Sequence, residues 1–445
     1  MILKDQYEQL REDLRVMNES SSLNGSDAKR SENLHRLFFY PAMMVPVTQN
    51  RLIEVLSKVL PKQAWAFDPF MGSGTSLLSC MEFGYNVFGQ DINPLSVLIV
   101  KAKTITYDIE ALKISFLQIV HCVQEDNSEM VDVHFGGMDK WFPKETQIIL
   151  SRIRRAIIDI DIKDYRYFFW VVMAETIRIG SNDRTSTFKL HQRSADELTH
   201  RHVDIFKTFC DLTKRCFEDL QLFKDKLDKK GLIESNHFKS NIMVQWGNST
   251  DEIHAPVKFD LLVSSPPYGD NHTTVTYGQH SYLELQWIDS KDLESDEQFD
   301  FLKNAQAIDS ASLGGHNSKV LFIQQLEEIK KHVPSLWTFM QTVPEDEKFK
   351  YAKTVSFVLD FEKSLKQIVP SMKDNAFYVW TIGNRNVGGR EIPNDEILVD
   401  IMNELGVRRF YTAERQILNK QQPKKNNFSK TMEKEKILIF HNENN

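Results

Sequence analysis

Apolar and polar positions divide the chain into stretches of different period. Residues 1–18 follow helical spacing, and the small polar run ESSSLNGSDAKRSE at 19–32 ends it as a loop or linker. LHRLFFYPAMMVP comes next, then a helix-like QNRLIEVLSKVL. From residue 64 short apolar runs take over. AWAFDPF reads as a strand, MGSGT as a tight glycine turn, and SLLSCMEFG as a short helix closing on Gly84. YNVFGQDINP is a second strand ending in an acid, and LSVLIVKAKT a second helix. Strand, turn, helix and strand within about 30 residues make one βαβ unit with a parallel pair.

Residues 105–240 switch to long helical patterns: IEALKISFLQIVHCV, ETQIILSRIRRAIIDI, YFFWVVMAETIRI and HVDIFKTFCDLTKRCFEDLQLFKDKL. The α/β rhythm resumes at 241 with IMVQWGNST and KFDLLVSSPPYG. The chain is mixed and polar from 270 to 319, then helix-rich to 369. It closes with a strand at NAFYVWTIGN, a helix at DEILVDIMNELGV and a last strand at EKILIF. No internal repeat is present. The pattern predicts an N-terminal helix and linker (1–34), an α/β domain built from 35–104 and 241–445, and a mostly helical insertion at 105–240.

Composition adds limits. The 445 residues are 41% hydrophobic and 26% charged, as expected of a soluble protein with a substantial core. No run of 18 apolar residues reads as a membrane span, and MILKDQYEQLREDL lacks the apolar region of a signal peptide. A cytoplasmic protein is expected. Cys80, Cys122, Cys210 and Cys216 are scattered and do not read as a disulfide framework. His200, His202, Cys210 and Cys216 could be drawn as a zinc site, but their spacing matches no usual pattern, so they read as ordinary helix residues and no metal is expected. The net charge of −7 argues mildly against a nucleic-acid binder, although a local basic face is enough. Charge is also uneven: residues 289–300 carry six acids and one Lys, and residues 419–430 carry four Lys and no acid.

Two constellations carry chemistry. The first is Asp68-Pro69-Phe70-Met71-Gly72-Ser73-Gly74-Thr75, where glycines after a strand let the backbone approach a ligand as the next helix begins. Neither a third glycine nor a following Lys is present, so a cofactor with an amino-acid moiety fits better than a pyrophosphate. Asp91, at the end of the next strand, places a carboxylate where it can accept both hydroxyls of a ribose. Alone, this motif is equally a plain glycine turn with Asp91 as a helix N-cap. The second constellation is Ser264-Ser265-Pro266-Pro267-Tyr268-Gly269, directly after the apolar strand FDLLV. Two prolines remove two backbone donors, stiffen the loop and leave carbonyls free to accept. With Ser265 before them and the flat face of Tyr268 after, the set suits a planar ring that bears an amino group.

Together the two resemble the amino-methyltransferases of DNA, most closely the site-specific N4-cytosine enzymes of restriction-modification systems. In that family Phe-x-Gly-x-Gly binds S-adenosylmethionine and (Asp/Asn/Ser)-Pro-Pro-Tyr is catalytic, and Phe70 to Gly74 and Ser265 to Tyr268 match both. His35 to Pro46, with Tyr40 and Pro41 inside, resembles the segment that closes over the methionine part of the cofactor. Asp91-Ile92-Asn93-Pro94 resembles the ribose and adenine contact, and Gly247-Asn248-Ser249 the next motif, with Asn248 where Asp is frequent. The resemblance implies an S-adenosylmethionine-dependent, Rossmann-like α/β fold with a mostly parallel seven-stranded sheet. Asp68, Phe70, Gly72, Gly74, Thr75, Asp91, Ile92, Asn248, Tyr40 and Pro41 would hold the cofactor, and Ser265, Pro266, Pro267 and Tyr268 would be catalytic.

The implied substrate is double-stranded DNA. Serine at 265 is more frequent where cytosine N4 is the target; adenine N6 is the alternative. The amine is inaccessible inside a duplex, so the base must flip out and stack on Tyr268. Ser265 and the Pro266 carbonyl would accept the amine protons and free its lone pair, and no catalytic Cys is needed. The insertion at 105–240 is one candidate recognition module, with Arg184, Lys189 and Arg193 in the segment 181–193 as candidate DNA contacts. Asn271 to Thr274, His272 among them, and Gly278 to His280 would line the base pocket or its rim; Lys424 and Lys425 would form a second phosphate contact. A separate restriction endonuclease is a possible partner, since no nuclease motif is recognisable. Methyl transfer to RNA or protein, or a non-catalytic recognition subunit, are the other readings.

Overall fold

The computed structural model describes residues 4–27, 32–296, 298–315, 319–418 and 432–442. Seven strands form the central sheet: β1 (Trp65–Asp68), β2 (Asn86–Asp91), β3 (Ile242–Trp246), β4 (Phe259–Ser264), β5 (Met372–Ile382), β6 (Arg408–Gln416) and β7 (Lys434–His441). Their order across the sheet is β6-β7-β5-β4-β1-β2-β3. The five from β3 to β5 run parallel, and β7 lies antiparallel between β5 and β6. This is the α/β methyltransferase-type sheet expected from the sequence.

The principal helices are α1 (Lys4–Glu19), α2 (Pro46–Leu56), α3 (Thr75–Met81), α4 (Pro94–Thr104), α5 (Ile109–Glu125), α6 (Lys144–Ile158), α7 (Lys163–Gly180), α8 (Ile205–Lys229), α9 (Tyr277–Trp287), α10 (Lys319–His332), α11 (Pro334–Gln341), α12 (Ala352–Ser371) and α13 (Asn394–Glu404). The period-2 alternation of the strands sorts side chains to two faces. Ala66, Leu261, Val263, Phe377 and Val379 meet α1 to α4 on one face. Phe67, Leu262, Tyr378 and Trp380 meet α10 to α13 on the other. Parallel strands buried on both sides need to be apolar throughout, and β4 is buried along its whole length.

Residues 105–240 are mostly helical, and they do not keep a core of their own. α5 to α8 pack with α4 and α9 around Phe168, Trp170, Phe217 and Trp287. Arg166 and Trp170 of α7 both donate to Asp292, just beyond α9, which ties the block to the chain that follows β4. Cys210 and Cys216 lie on α8 and pack into this apolar cluster. Two elements depart from the sequence pattern. The polar stretch after 270 contains α9, and the charged stretch RRFYTAERQ is β6, a sheet-edge strand. Among the described residues, no helix is long and apolar enough to cross a membrane.

Candidate active site

The carboxyl ends of parallel strands leave a crevice where loops fan out. Here the loops after β1, β2, β3 and β4, with the segment before α2, border a partly open cavity with about 840 Å³ of empty space, some of it continuous with solvent. Phe70, Gly72 and Thr75 line it from the first loop, Asp91 and Ile92 from the second, and Asn248 from the third. Tyr40 and Pro41 line it from the N-terminal segment, and Ser265 and Pro267 from the fourth loop. Residues separated by more than 200 positions thus share one wall-to-wall space.

The glycine loop owes its shape to its backbone angles. Gly72 has φ +48°, and a Cβ there would stand 3.3 Å from the Tyr40 ring, so glycine keeps this side of the cavity open. Its N–H donates to one Asp91 oxygen at 2.9 Å, and the Asn93 N–H donates to the other at 2.9 Å. The Asp91 carboxyl is thereby fixed in the cavity wall, and burial raises its pKa above the ordinary range. Gly74 has a different task. It does not line the cavity; at φ +76° a Cβ would press 2.9 Å from Val100 of α4. Asp68 also stands behind the cavity rather than in it. It is fully buried and accepts from Ser264 Oγ at 2.6 Å, from the Phe70 N–H at 3.0 Å, and from Ser76 Oγ. Burial pushes its carboxyl up to about 6 against those three bonds. Asp68 therefore fastens the glycine loop and α3 to the end of β4, immediately before Ser265.

A second support went unread in the sequence. Lys103 of α4 is buried and donates to the Ser73 carbonyl at 2.9 Å, and burial brings its ammonium down to about 7. Ser73 Oγ lies 3.1 Å from Thr75 Oγ1, which in turn contacts the His35 ring nitrogen at 3.0 Å. On the N-terminal segment, Tyr40 stacks on Tyr277 of α9 with ring centroids 5.6 Å apart. Asn93 donates to Tyr40 Oη at 3.2 Å and to Ser281 Oγ at 2.8 Å, so α9 is bound to both sides of the cavity. Met43, Met44, Asn271, Tyr277, Ile308 and Leu313 also line it.

In the fourth loop, Ser265 and Pro267 reach the cavity, whereas Pro266 is buried and Tyr268 half-buried outside its lining. Tyr268 Oη donates to Glu435 of β7 at 3.0 Å and lies 3.3 Å from Ser265 Oγ. Asn394 donates to the Tyr268 carbonyl at 3.0 Å and to the Gly383 carbonyl at 2.9 Å. The loop is thus bolted to β7 and α13. Arg184 pairs with Glu197 at 3.3 Å, and the loop that carries Arg184, Lys189 and Arg193 is closed by an Asp183–Gln192 bridge. Thr276 and Gln279 bind its backbone at Phe188 and Leu190, which docks it beside the start of α9. The His272 ring lies 3.3 Å from Ser310 Oγ. Lys424 and Lys425 lie outside the described residues.

The chain matches no protein-family model. Over 427 residues it is 32% identical to Type II methyltransferase M.MvaI of Kocuria varians, covering 92% of this chain and 91% of that protein. The chain belongs to the Type II methyltransferases. It is also 35% identical over 121 residues to Type II methyltransferase M.MjaII of Methanocaldococcus jannaschii, covering 27% of this chain and 22% of the other. In this methyltransferase the cavity offers hydrogen-bond acceptors and an aromatic pair. Cys80 lies buried on α3, where burial pushes its thiol up, away from the reactive thiolate.

Proposed function

We propose that this methyltransferase transfers a methyl group from S-adenosylmethionine to the exocyclic amino group of a flipped-out base in double-stranded DNA, at N4 of cytosine. The observation that carries the reading is the convergence of the Gly72 loop, Asp91, Ser265 and Pro267 on one cavity. The residues fit the cofactor. The Gly72 position keeps open a space that a Cβ would narrow against Tyr40, and the Asp91 carboxyl is held in place to accept from ribose hydroxyls. Phe70, Ile92, Met43 and Met44 supply apolar lining for the cofactor's ring and methylene chain. When bound, the cofactor supplies an electrophilic methyl on a sulfonium.

The chain's own residues act on the amine. Its lone pair is delocalised into the base ring, which makes it a weak nucleophile. Ser265 Oγ and the Pro266 carbonyl accept hydrogen bonds from its two N–H groups and localise that pair on nitrogen, and the proton released on methylation passes to solvent. Pro266 and Pro267 stiffen the loop, so little reorganisation accompanies the reaction. Tyr268 stacks on the base with its ring orientation set by the bond to Glu435. The docked loop with Arg184, Lys189 and Arg193 contacts phosphates and base edges, and His272 contacts the rim of the base pocket. A separate endonuclease would act on the same DNA sequence. Serine at 265 favours cytosine; adenine N6 is the second reading.

The test is direct. Unmodified plasmid DNA incubated with the enzyme and S-adenosylmethionine, then digested to nucleosides, should yield N4-methylcytosine by mass spectrometry. N6-methyladenine would move the target to adenine, and absence of any methylated nucleoside would overturn the reading.

A further inference from the structure

We infer that Arg385 is a positioning residue for methyl transfer. Its guanidinium holds the turn at 269–273, and through that turn it keeps the proline loop after β4 in the geometry that presents Ser265 and Tyr268 to the target base. This rests on the proposal that the cavity methylates the amino group of a flipped-out base. Arg385 lies just beyond β5 and opens a short hairpin whose second strand is Arg390–Ile392. Its side chain is 13% exposed and reaches back to the chain that follows Tyr268. Nη2 donates to Thr273 Oγ1 at 2.9 Å, and Nη1 stands 3.5 Å from one Asp270 oxygen. Asp270 is fully buried; it accepts from the Thr273 N–H at 3.2 Å and from the Thr273 hydroxyl. Arg385, Thr273 and Asp270 therefore close a ring of contacts, and Lys353 of α12 stands 3.5 Å from the other Asp270 oxygen.

A buried carboxylate is costly unless it is paired. Two cations from separate elements, α12 and the chain after β5, pair with Asp270, so the turn is held from two sides. Space gives the same answer. The guanidinium lies across Gly269, where a Cβ would overlap Nη1, so the residue after Tyr268 has no room for a side chain. At Gly383 a Cβ would stand 2.8 Å from the Tyr268 ring, so the chain leaving β5 also packs against Tyr268 itself. Asn394 already binds the carbonyls of Tyr268 and Gly383. The loop is thus tied to the end of β5 at 268 by Asn394, and at 270 and 273 by Arg385. The second tie needs a planar fork, because one ammonium cannot hold Asp270 and Thr273 with two fixed nitrogens. Nη1 is shielded from solvent, which suits it to the turn and not to a DNA phosphate.

The experiment takes three readouts on the full chain. Methyl transfer to unmodified plasmid DNA is measured in single turnover at saturating DNA and S-adenosylmethionine, affinity for S-adenosylhomocysteine by calorimetry, and DNA affinity as a function of salt. Arg385→Met keeps the stem and removes the fork. It should lower the saturated rate roughly 10- to 100-fold, as a small misplacement of reacting groups does. S-adenosylhomocysteine affinity should stay within about twofold of wild type, which also shows that the variant is folded, and the salt slope should not change. Arg385→Lys should fall between the two, because its ammonium keeps the charge beside Asp270 without both contacts. If Arg385→Met does not bind S-adenosylhomocysteine, Thr273→Val replaces it. That variant removes only the hydroxyl between Asp270 and Arg385 and is read the same way. An unchanged saturated rate overturns the inference. So does a salt slope reduced by about one with the saturated rate kept, because Arg385 would then contact a phosphate. So does a cofactor affinity in Thr273→Val or Arg385→Lys that falls as far as the rate. A wild-type enzyme that methylates no amine sinks the proposed function instead, and the two failures are thereby distinct.

Discussion

At the scale of the residue, small features decide what the cavity admits. Gly72→Ala puts a methyl at φ +48° and against Tyr40. It should weaken S-adenosylhomocysteine binding about tenfold or more by calorimetry, since both strain and reduced space act on the cofactor side. Ser265→Ala combined with Pro266→Ala should strongly reduce methyl transfer while cofactor affinity stays; unchanged transfer would remove this loop from the chemistry. Lys103 makes a pH prediction. Its ammonium is brought down to about 7 in the fold, against about 10.4 in an unfolded chain. Between those values the unfolded chain holds a proton that the folded one has shed, so this residue adds stability as pH rises from about 7 towards 10. Thermal melts at pH 7 and 9 should therefore show wild type gaining on Lys103→Met at the higher pH.

At the scale of the element, some parts were legible and others were hidden for a physical reason. The first βαβ unit and the loop after β4 announce themselves because a turn against a ligand demands glycine and a rigid acceptor loop demands proline. The four long helices of the insertion show plain apolar stripes. α9 shows none, because the residues it buries include Gly278, Ser281 and Glu284, which serve close packing and polar contacts. Tyr277 therefore passed unnoticed. β6 was hidden by Arg408 and Arg409, which an edge strand tolerates because one side faces solvent, and by Arg415, which is buried against Glu435 of β7. Glu435 and Lys103 act through partners far away in sequence, and no local pattern reports such pairs. α9 also carries a testable dependence. Asp309 satisfies two N–H groups in its first turn, so Asp309→Ala should lower unfolding free energy by about 1–3 kcal/mol in urea titrations.

At the scale of the whole molecule, a chain with net charge −7 must approach polyanionic DNA through a local basic surface. Combined Arg184→Ala, Lys189→Ala and Arg193→Ala substitutions should flatten the salt dependence of DNA affinity, by roughly one unit of log–log slope for each phosphate that these cations neutralise. A slope equal to that of wild type would remove this loop from the interface. The placement of β7 between β5 and β6, with Glu435 holding Tyr268, has a consequence for synthesis. A nascent chain that has left the ribosome only as far as Gln416 already contains every residue that lines the cavity. It has neither the antiparallel strand β7, which lies between β5 and β6, nor the Glu435 carboxylate that holds Tyr268. Under the proposed role of Tyr268, competence to methylate is therefore withheld until β7 is translated and inserted, and a polypeptide interrupted before that point would carry the lining residues without the anchored tyrosine.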